Sequence, residues 1–365
     1  MKKKILIVVG TRPNFVKITQ FKKMAKKHDN LELKIVHTGQ HYDQKMSDFF
    51  LKQFDIKIDF FLNTSHSTPN SLIGEVMLKL EEVINDFNPD LLLSVGDVNS
   101  TLAASICAHK LHVKLGHIES GLRSFDKEMP EEINRIITDE LSDICFVTEK
   151  SGIDNLKASG KKSDQIFYVG NTMIDTLVAF SKEIEQVPIL EELQLKKEPY
   201  ILITMHRPRN VDTKKALLKI VDLLKIIATK YKVVFSIHPR TKKSFILHDL
   251  YTSLNKEERL VIIPPQNYFS FQKLVKYSFC VITDSGGIQE ETTYQKIPCI
   301  TLRENTERPI TIKQGTNVLM SFENEKIVSI LQDIKKGNFK KGEIPELWDG
   351  NATERILNNC MNYIL

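Results

Sequence analysis

The stretch FCVITDSGGIQEETTYQ, residues 279–295, reads as strand, turn and helix in immediate succession. An apolar run with no polar alternation ends at Asp284, as a parallel strand covered on both faces requires. Ser285-Gly286-Gly287 supplies a tight turn, and a segment of helical character follows. Backbone N–H groups left open by such a turn, with the helix dipole behind them, hold an oxyanion well. Yet Glu290 and Glu291 come within the first turns of that helix, where a bare phosphate site would exclude them.

The same unit recurs outward along the chain. Short apolar runs lie at 5–9 (ILIVV), 31–38, 91–95 (LLLSV), 113–118, 144–148 and 165–170, and again at 200–205 (YILITM), 232–237, 259–264, 279–283 and 298–302. Between them VKITQFKKMAKK (16–27) and NSLIGEVMLKLEEVINDF (70–87) repeat apolar residues three and four positions apart, which predicts helices. Strand–helix alternation run through twice predicts an α/β protein of two doubly wound, Rossmann-like domains. Their expected spans are 1–172 and 173–348, with the seam after Gly170-Asn171. NATERILNNCMNYIL, within 349–365, reads as a last helix that packs back on the first domain.

Composition narrows the function classes. At 365 residues the chain exceeds one modest core. A net charge of +5 scattered along the sequence gives no basic arm or stripe, which argues against nucleic acid as partner. The basic start MKKKILIVVGTRP has an apolar segment, Ile5 to Val9, too short for a signal peptide. No apolar run reaches membrane-spanning length, so no membrane partner is expected. Five cysteines without a CxxC pair fit reduced thiols and a cytoplasmic location.

In open parallel sheets ligands bind at the carboxyl ends of the strands, so the residues following each run matter most. After the first run, GTRPNFVK places Arg12 and Lys17 on one lip, suited to phosphate or carboxylate. GDVNST presents Asp97, either a catalytic acid or the cap of the next helix. Glu119 follows the run 113–118 directly, a costly place for an idle carboxylate. Glu131-Glu132 behind Pro130 are ordinary helix-start chemistry by themselves. In the second half, MHRPRNVD places His206 at a strand tip; His238 in HPRT reads as structural. The aromatic loop PPQNYFSF (264–271) either walls in a flat base or packs on itself, and RENTERP adds Arg308 as a further anion-binding group. A nucleoside diphosphate answers the question raised by 279–295: phosphate on Ser285, Gly286 and Gly287, ribose hydroxyls on Glu291 a turn further on. Cations and glycines on some tips with carboxylates on others describe a nucleotide-sugar enzyme working in a cleft between two domains.

GTRPNFVK, GDVNSTLA, GHIESGLRSFDKEMPEEINRIITDELSD, VGNTMIDTL, MHRPRNVD, HPRT and DSGGIQEETTYQKIPCITLRENTERP together resemble the non-hydrolysing UDP-N-acetylglucosamine 2-epimerases, collinearly from residue 5 to about 320. The resemblance implies a GT-B fold, a cytoplasmic homodimer, no organic cofactor and no metal. It implies interconversion of UDP-N-acetylglucosamine and UDP-N-acetylmannosamine through a 2-acetamidoglucal, for surface polysaccharide synthesis. Carried over by motif, the catalytic groups fall on Asp97, Glu119, Glu131 and His206. UDP contacts fall on Arg12, Gln266, Phe271, Ser285, Gly286, Gly287 and Glu291, with Arg308 near the diphosphate and Lys17 matching the lysine of the first motif. Alternatives are a hydrolysing 2-epimerase, a 2-epimerase of a related UDP-2-acetamido sugar, and, more distantly, a GT-B glycosyltransferase.

The sequence departs from that pattern at Asn14-Phe15, where Glu-Ala is frequent, and at Val98, where Thr is common. Pro208 stands where many bacterial members have a second arginine used to bind a regulatory sugar nucleotide, and Asp43 in TGQHYDQKM stands where those members carry a second glutamine, although Gln40 and His41 are kept. These changes argue against allosteric activation by substrate.

Overall fold

The computed structural model describes residues 2–40, 50–65, 67–254 and 257–364. His41 and Asp43 therefore lie outside the described residues. The chain divides into two units: Met1–Ala179 with Glu346–Leu365, and Phe180–Pro345.

The first unit is built on seven parallel strands: β1 Lys3–Val9, β2 Leu31–His37, β3 Phe60–Phe61, β4 Leu91–Val95, β5 Lys114–Ser120, β6 Ile144–Val147 and β7 Ile166–Tyr168. Their order is β3-β2-β1-β4-β5-β6-β7. The unbroken apolar runs have a direct cause. Ile5, Ile7 and Val9 of β1 enter one core cluster, with Leu91, Leu93 and Val95. Leu6 and Val8 enter another on the opposite side, with Leu92. With both faces covered, successive positions of the strand favour apolar residues.

The second unit has six parallel strands, β8 Tyr200–Thr204, β9 Lys232–Ser236, β10 Leu260–Ile263, β11 Cys280–Thr283, β12 Cys299–Leu302 and β13 Asn317–Met320, in the order β10-β9-β8-β11-β12-β13. Ile201 and Ile203 face one cluster, Tyr200 and Leu202 the other. Each sheet reverses its strand order once, between β1 and β4 and between β8 and β11. These are the switch points at which doubly wound sheets open a crevice beyond the strand ends.

Helices follow their caps. Pro69–Phe87 starts at Thr68, whose hydroxyl accepts from Ser71 N at 3.1 Å, and ends at Asn88 in the left-handed region. The predicted helix over 16–27 is instead two, Arg12–Ile18 and Phe21–Ala25. Two edge strands, β3 and β13, were not predicted; the first is too short to show a period and the second is only partly buried. The C-terminal helix Ala352–Tyr363 is part of the first unit. There the Asp175 carboxylate accepts from Ala352 N, Thr353 N and the Thr353 hydroxyl, and buried Trp348 donates to Thr148 O at 2.9 Å. No helix among the described residues is long and apolar enough to cross a membrane.

Candidate functional site

In the first unit, the turn after β1 starts the helix Arg12–Ile18. Asn14 Oδ1 accepts from Gly10 N and Thr11 N, both at 3.1 Å, while its amide donates to Val95 O at 2.9 Å. The residue that departs from the family pattern thus ties the β1 turn to the end of β4. Lys17, one turn on, is buried and ion-paired with buried Glu119. Gly96 takes φ +69°, and a Cβ there would stand 3.0 Å from Lys17 Nζ, so the turn that carries Asp97 passes close to that pair. Arg12 lies over the Phe50 ring, 5.5 Å from its centroid.

Asp97 is not a helix cap. The helix Asn99–Lys110 has Val98 at that position, and the Asp97 carboxylate meets Arg135 Nη2 at 2.5 Å. Arg135 also holds Glu132 at 2.7 Å, and Asn134 donates to Asp97 O at 2.9 Å. Of the two acids opening the helix Pro130–Leu141, Glu131 is exposed, whereas buried Glu132 accepts from Ser124 N and Phe125 N at 2.9 Å each. Glu119 has φ +72°, a region that non-glycine residues enter at a cost and that recurs at functional sites. Beneath it sits a trio that sequence reading passed over. His117 Nδ1 lies 2.6 Å from Asp139 Oδ1, and its Nε2 lies 2.8 Å from Gly96 O. Arg123 reaches Asp139 Oδ2 at 2.6 Å. Burial pushes the Asp139 carboxyl up, but His117 and Arg123 outweigh it and hold it below its ordinary value.

In the second unit, the β8 and β11 tips meet through Asp284. Its buried carboxylate accepts from His206 N, Arg207 N and the Asn210 amide, and faces His206 Nδ1 at 3.0 Å. Burial raises Asp284, yet His206, Arg207 N and Asn210 together hold it below the usual range. The ring is thereby oriented, with Nε2 as the nitrogen directed away from the carboxylate. His238 packs against His206 with the rings tilted by 39° and centroids 5.3 Å apart, and caps the helix Pro239–Leu247 by accepting from Arg240 N at 3.2 Å.

Ser285 stands at the N-cap of Gly286–Gln295 without a side-chain cap bond. Arg308 Nη1 would lie 2.9 Å from a Cβ on Gly286, so the missing side chain lets a guanidinium sit against the helix start. Arg308 is held by Glu290 at 2.8 Å, while Arg303 pairs with Glu307 at 3.0 Å. Glu290, an obstacle when the sequence is read alone, is thus the ion-pair partner of Arg308. Glu291 is buried on the same helix; burial pushes its carboxyl up to about 7, Gln272 lowers it, Glu290 raises it and Tyr268 lowers it. Gln266 donates to Pro264 O in the loop after β10, and Phe271 packs against the apolar cluster that contains Ile288.

The geometry brings Lys17 together with Glu119, His206 with Asp284, and Arg308 with Gly286. Asp284, Arg303 and Glu307 were visible in the quoted motifs, but nothing in their spacing marked them as partners. Among the described residues no group of three or more His, Cys, Asp or Glu side chains is placed to hold a metal ion.

A family model described as UDP-N-acetylglucosamine 2-epimerase matches residues 23–360. A Methanococcus maripaludis protein named as a UDP-N-acetylglucosamine 2-epimerase homolog is 40% identical over 366 residues, covering 98% of this chain and 99% of its own. A Pseudomonas aeruginosa UDP-2,3-diacetamido-2,3-dideoxy-D-glucuronate 2-epimerase is 39% identical over 329 residues, covering 89% and 90%. The crystal structure of Methanocaldococcus jannaschii UDP-GlcNAc 2-epimerase in complex with UDP-GlcNAc and UDP superposes with a TM-score of 0.87 at 36% identity, covering 99% of each chain.

Proposed function

The chain belongs to the UDP-N-acetylglucosamine 2-epimerase family, and from that premise we propose that it interconverts UDP-N-acetylglucosamine and UDP-N-acetylmannosamine without net hydrolysis. The carrying observation is the pair of charged clusters at the two switch points: Lys17–Glu119 with Asp97 in one unit, and His206–Asp284 with the Arg308-backed Ser285–Gly287 turn in the other.

The chemistry needs both. The C2 proton lies beside an acetal carbon, so it is not acidic until the C1–O bond to UDP begins to break. As that bond breaks, its electron pair leaves with UDP, and a base takes the C2 proton. The C2–H electrons form the C1=C2 bond of a 2-acetamidoglucal. Return of the proton to the opposite face, with UDP oxygen rebonding to C1, inverts C2 and balances every atom. Diphosphate is stabilised as leaving group by Arg12, His206, Arg308 and the Ser285–Gly287 turn at the helix start. Asp97, Glu119 and Glu131 exchange the proton. Glu291 takes the ribose diol, with Gln266 and Phe271 beside the base. The protein works as a cytoplasmic homodimer, and its product feeds surface polysaccharide synthesis.

The test is proton NMR of the purified protein with UDP-GlcNAc in D2O. Loss of the sugar H2 signal and an equilibrium with UDP-ManNAc are expected. Stoichiometric UDP with free ManNAc would mean a hydrolysing enzyme, and no deuterium despite bound donor would overturn the reading. The 39% identity to the diacetamido-glucuronate epimerase supports a second substrate reading. Exchange with that donor and none with UDP-GlcNAc would select it.

A further inference from the structure

The strand ladder that would fix Glu119 is interrupted where it is needed. β5 follows β6 in register through Ile118–Phe146, then skips to Ser120–Val147. Against β4 the register stops at Val95–Ile118. Glu119 is passed over by both neighbours and adopts φ +72°. Lys17 pairs with its carboxylate, and something other than sheet pairing must set the backbone from which that carboxylate projects.

Asp139, on the helix Pro130–Leu141, brackets it from both sides. Its oxygens accept from Gly121 N at 3.1 and 3.3 Å, two residues after Glu119, and Oδ1 holds His117 Nδ1 at 2.6 Å, two residues before. The other nitrogen of His117 continues to Gly96 O at 2.8 Å, the residue preceding Asp97. One buried chain of contacts, Gly96–His117–Asp139–Gly121, therefore joins the tips that carry two of the proposed acid–base residues. Both residues are at most 1% exposed, and Arg123 balances the carboxylate. Close backbone packing leaves little slack: a Cβ on Gly121 would fall 2.4 Å from Gly152 O.

We propose that His117 and Asp139 are positioning residues that set the spacing of Asp97 and Glu119 without touching substrate. This rests on the reading of Asp97 and Glu119 as proton-transfer groups. The experiment compares full-length Asp139→Asn and His117→Gln with wild type for kcat, KM for UDP-GlcNAc, UDP affinity and thermal midpoint. A misplacement near 1 Å is expected to lower kcat by about 10–100-fold, with KM and UDP affinity within about twofold, since their contacts lie elsewhere. Added to Glu119→Gln, Asp139→Asn should lower the residual solvent-exchange rate by less than about twofold, because the spacing it sets has already lost one of its two groups. A full multiplicative loss in that double variant, or unchanged kcat in the single variants, overturns the proposal. Should Asp139→Asn not fold, Arg123→Lys is read instead, with a fall of about threefold or more in kcat at constant KM expected and unchanged kcat overturning. Wild-type turnover in Glu119→Gln alone would sink the site reading, a different failure from loss of positioning.

Discussion

Replacing Glu291 by glutamine separates what the fold prefers from what the ligand requires. The buried carboxyl is pushed from 4.5 to about 7, so between those pH values the native state holds a proton that the unfolded chain has released. Stability therefore falls as pH rises through this window and reaches its full deficit above about 7. The displacement is worth about 3 kcal/mol at most. Glutamine keeps the shape and never ionises. Glu291→Gln should then be more stable than wild type at pH 8 by up to about 3 kcal/mol, raising the thermal midpoint by several degrees, and the gain should shrink below about 1 kcal/mol at pH 5. Urea or thermal unfolding of both proteins at the two pH values measures this. Calorimetry at pH 8 should meanwhile show UDP bound about 10–100-fold more weakly, for loss of charge-assisted bonds to the ribose diol. An equal stability difference at both pH values, or none, would refute the buried-carboxyl reasoning. A stability gain with undiminished UDP affinity would refute the diol assignment alone.

Three further outcomes are expected. Asp284→Asn removes a carboxylate held below 3.8; its stabilising effect is full above 3.8 and fades as pH falls through the native value, so unfolding should show a loss of about 1–3 kcal/mol at pH 7 that narrows in acid, with lower kcat as His206 loses its orientation. Gly286→Ala sets a methyl 2.9 Å from Arg308 Nη1, and the buried guanidinium held by Glu290 must shift to admit it, so UDP affinity should fall about tenfold; unchanged affinity would place Arg308 away from the ligand. Lys17→Met leaves Glu119 buried without its cation, a loss of about 3–5 kcal/mol in chemical unfolding, largely recovered in Lys17→Met/Glu119→Gln.

The sequence alone determined the alternation of buried strands and amphipathic helices, because burial on both faces of a parallel sheet leaves an unbroken apolar run. It also determined which residues stand at the strand tips, since a tip is wherever such a run stops: Asp97, Glu119, His206 and Ser285 were all legible in this way. Partners were not legible. Asp139 beneath Glu119, Asp284 behind His206 and Glu290 beside Arg308 are joined to their sites by distances between elements, and spacing along one chain carries no record of those. Glu131 and Glu132 make the point most sharply. Adjacent and chemically alike in sequence, they part company on a helix, one exposed and the other buried against Arg135, because successive helical positions lie about 100° apart and only the packed fold decides which direction is inward.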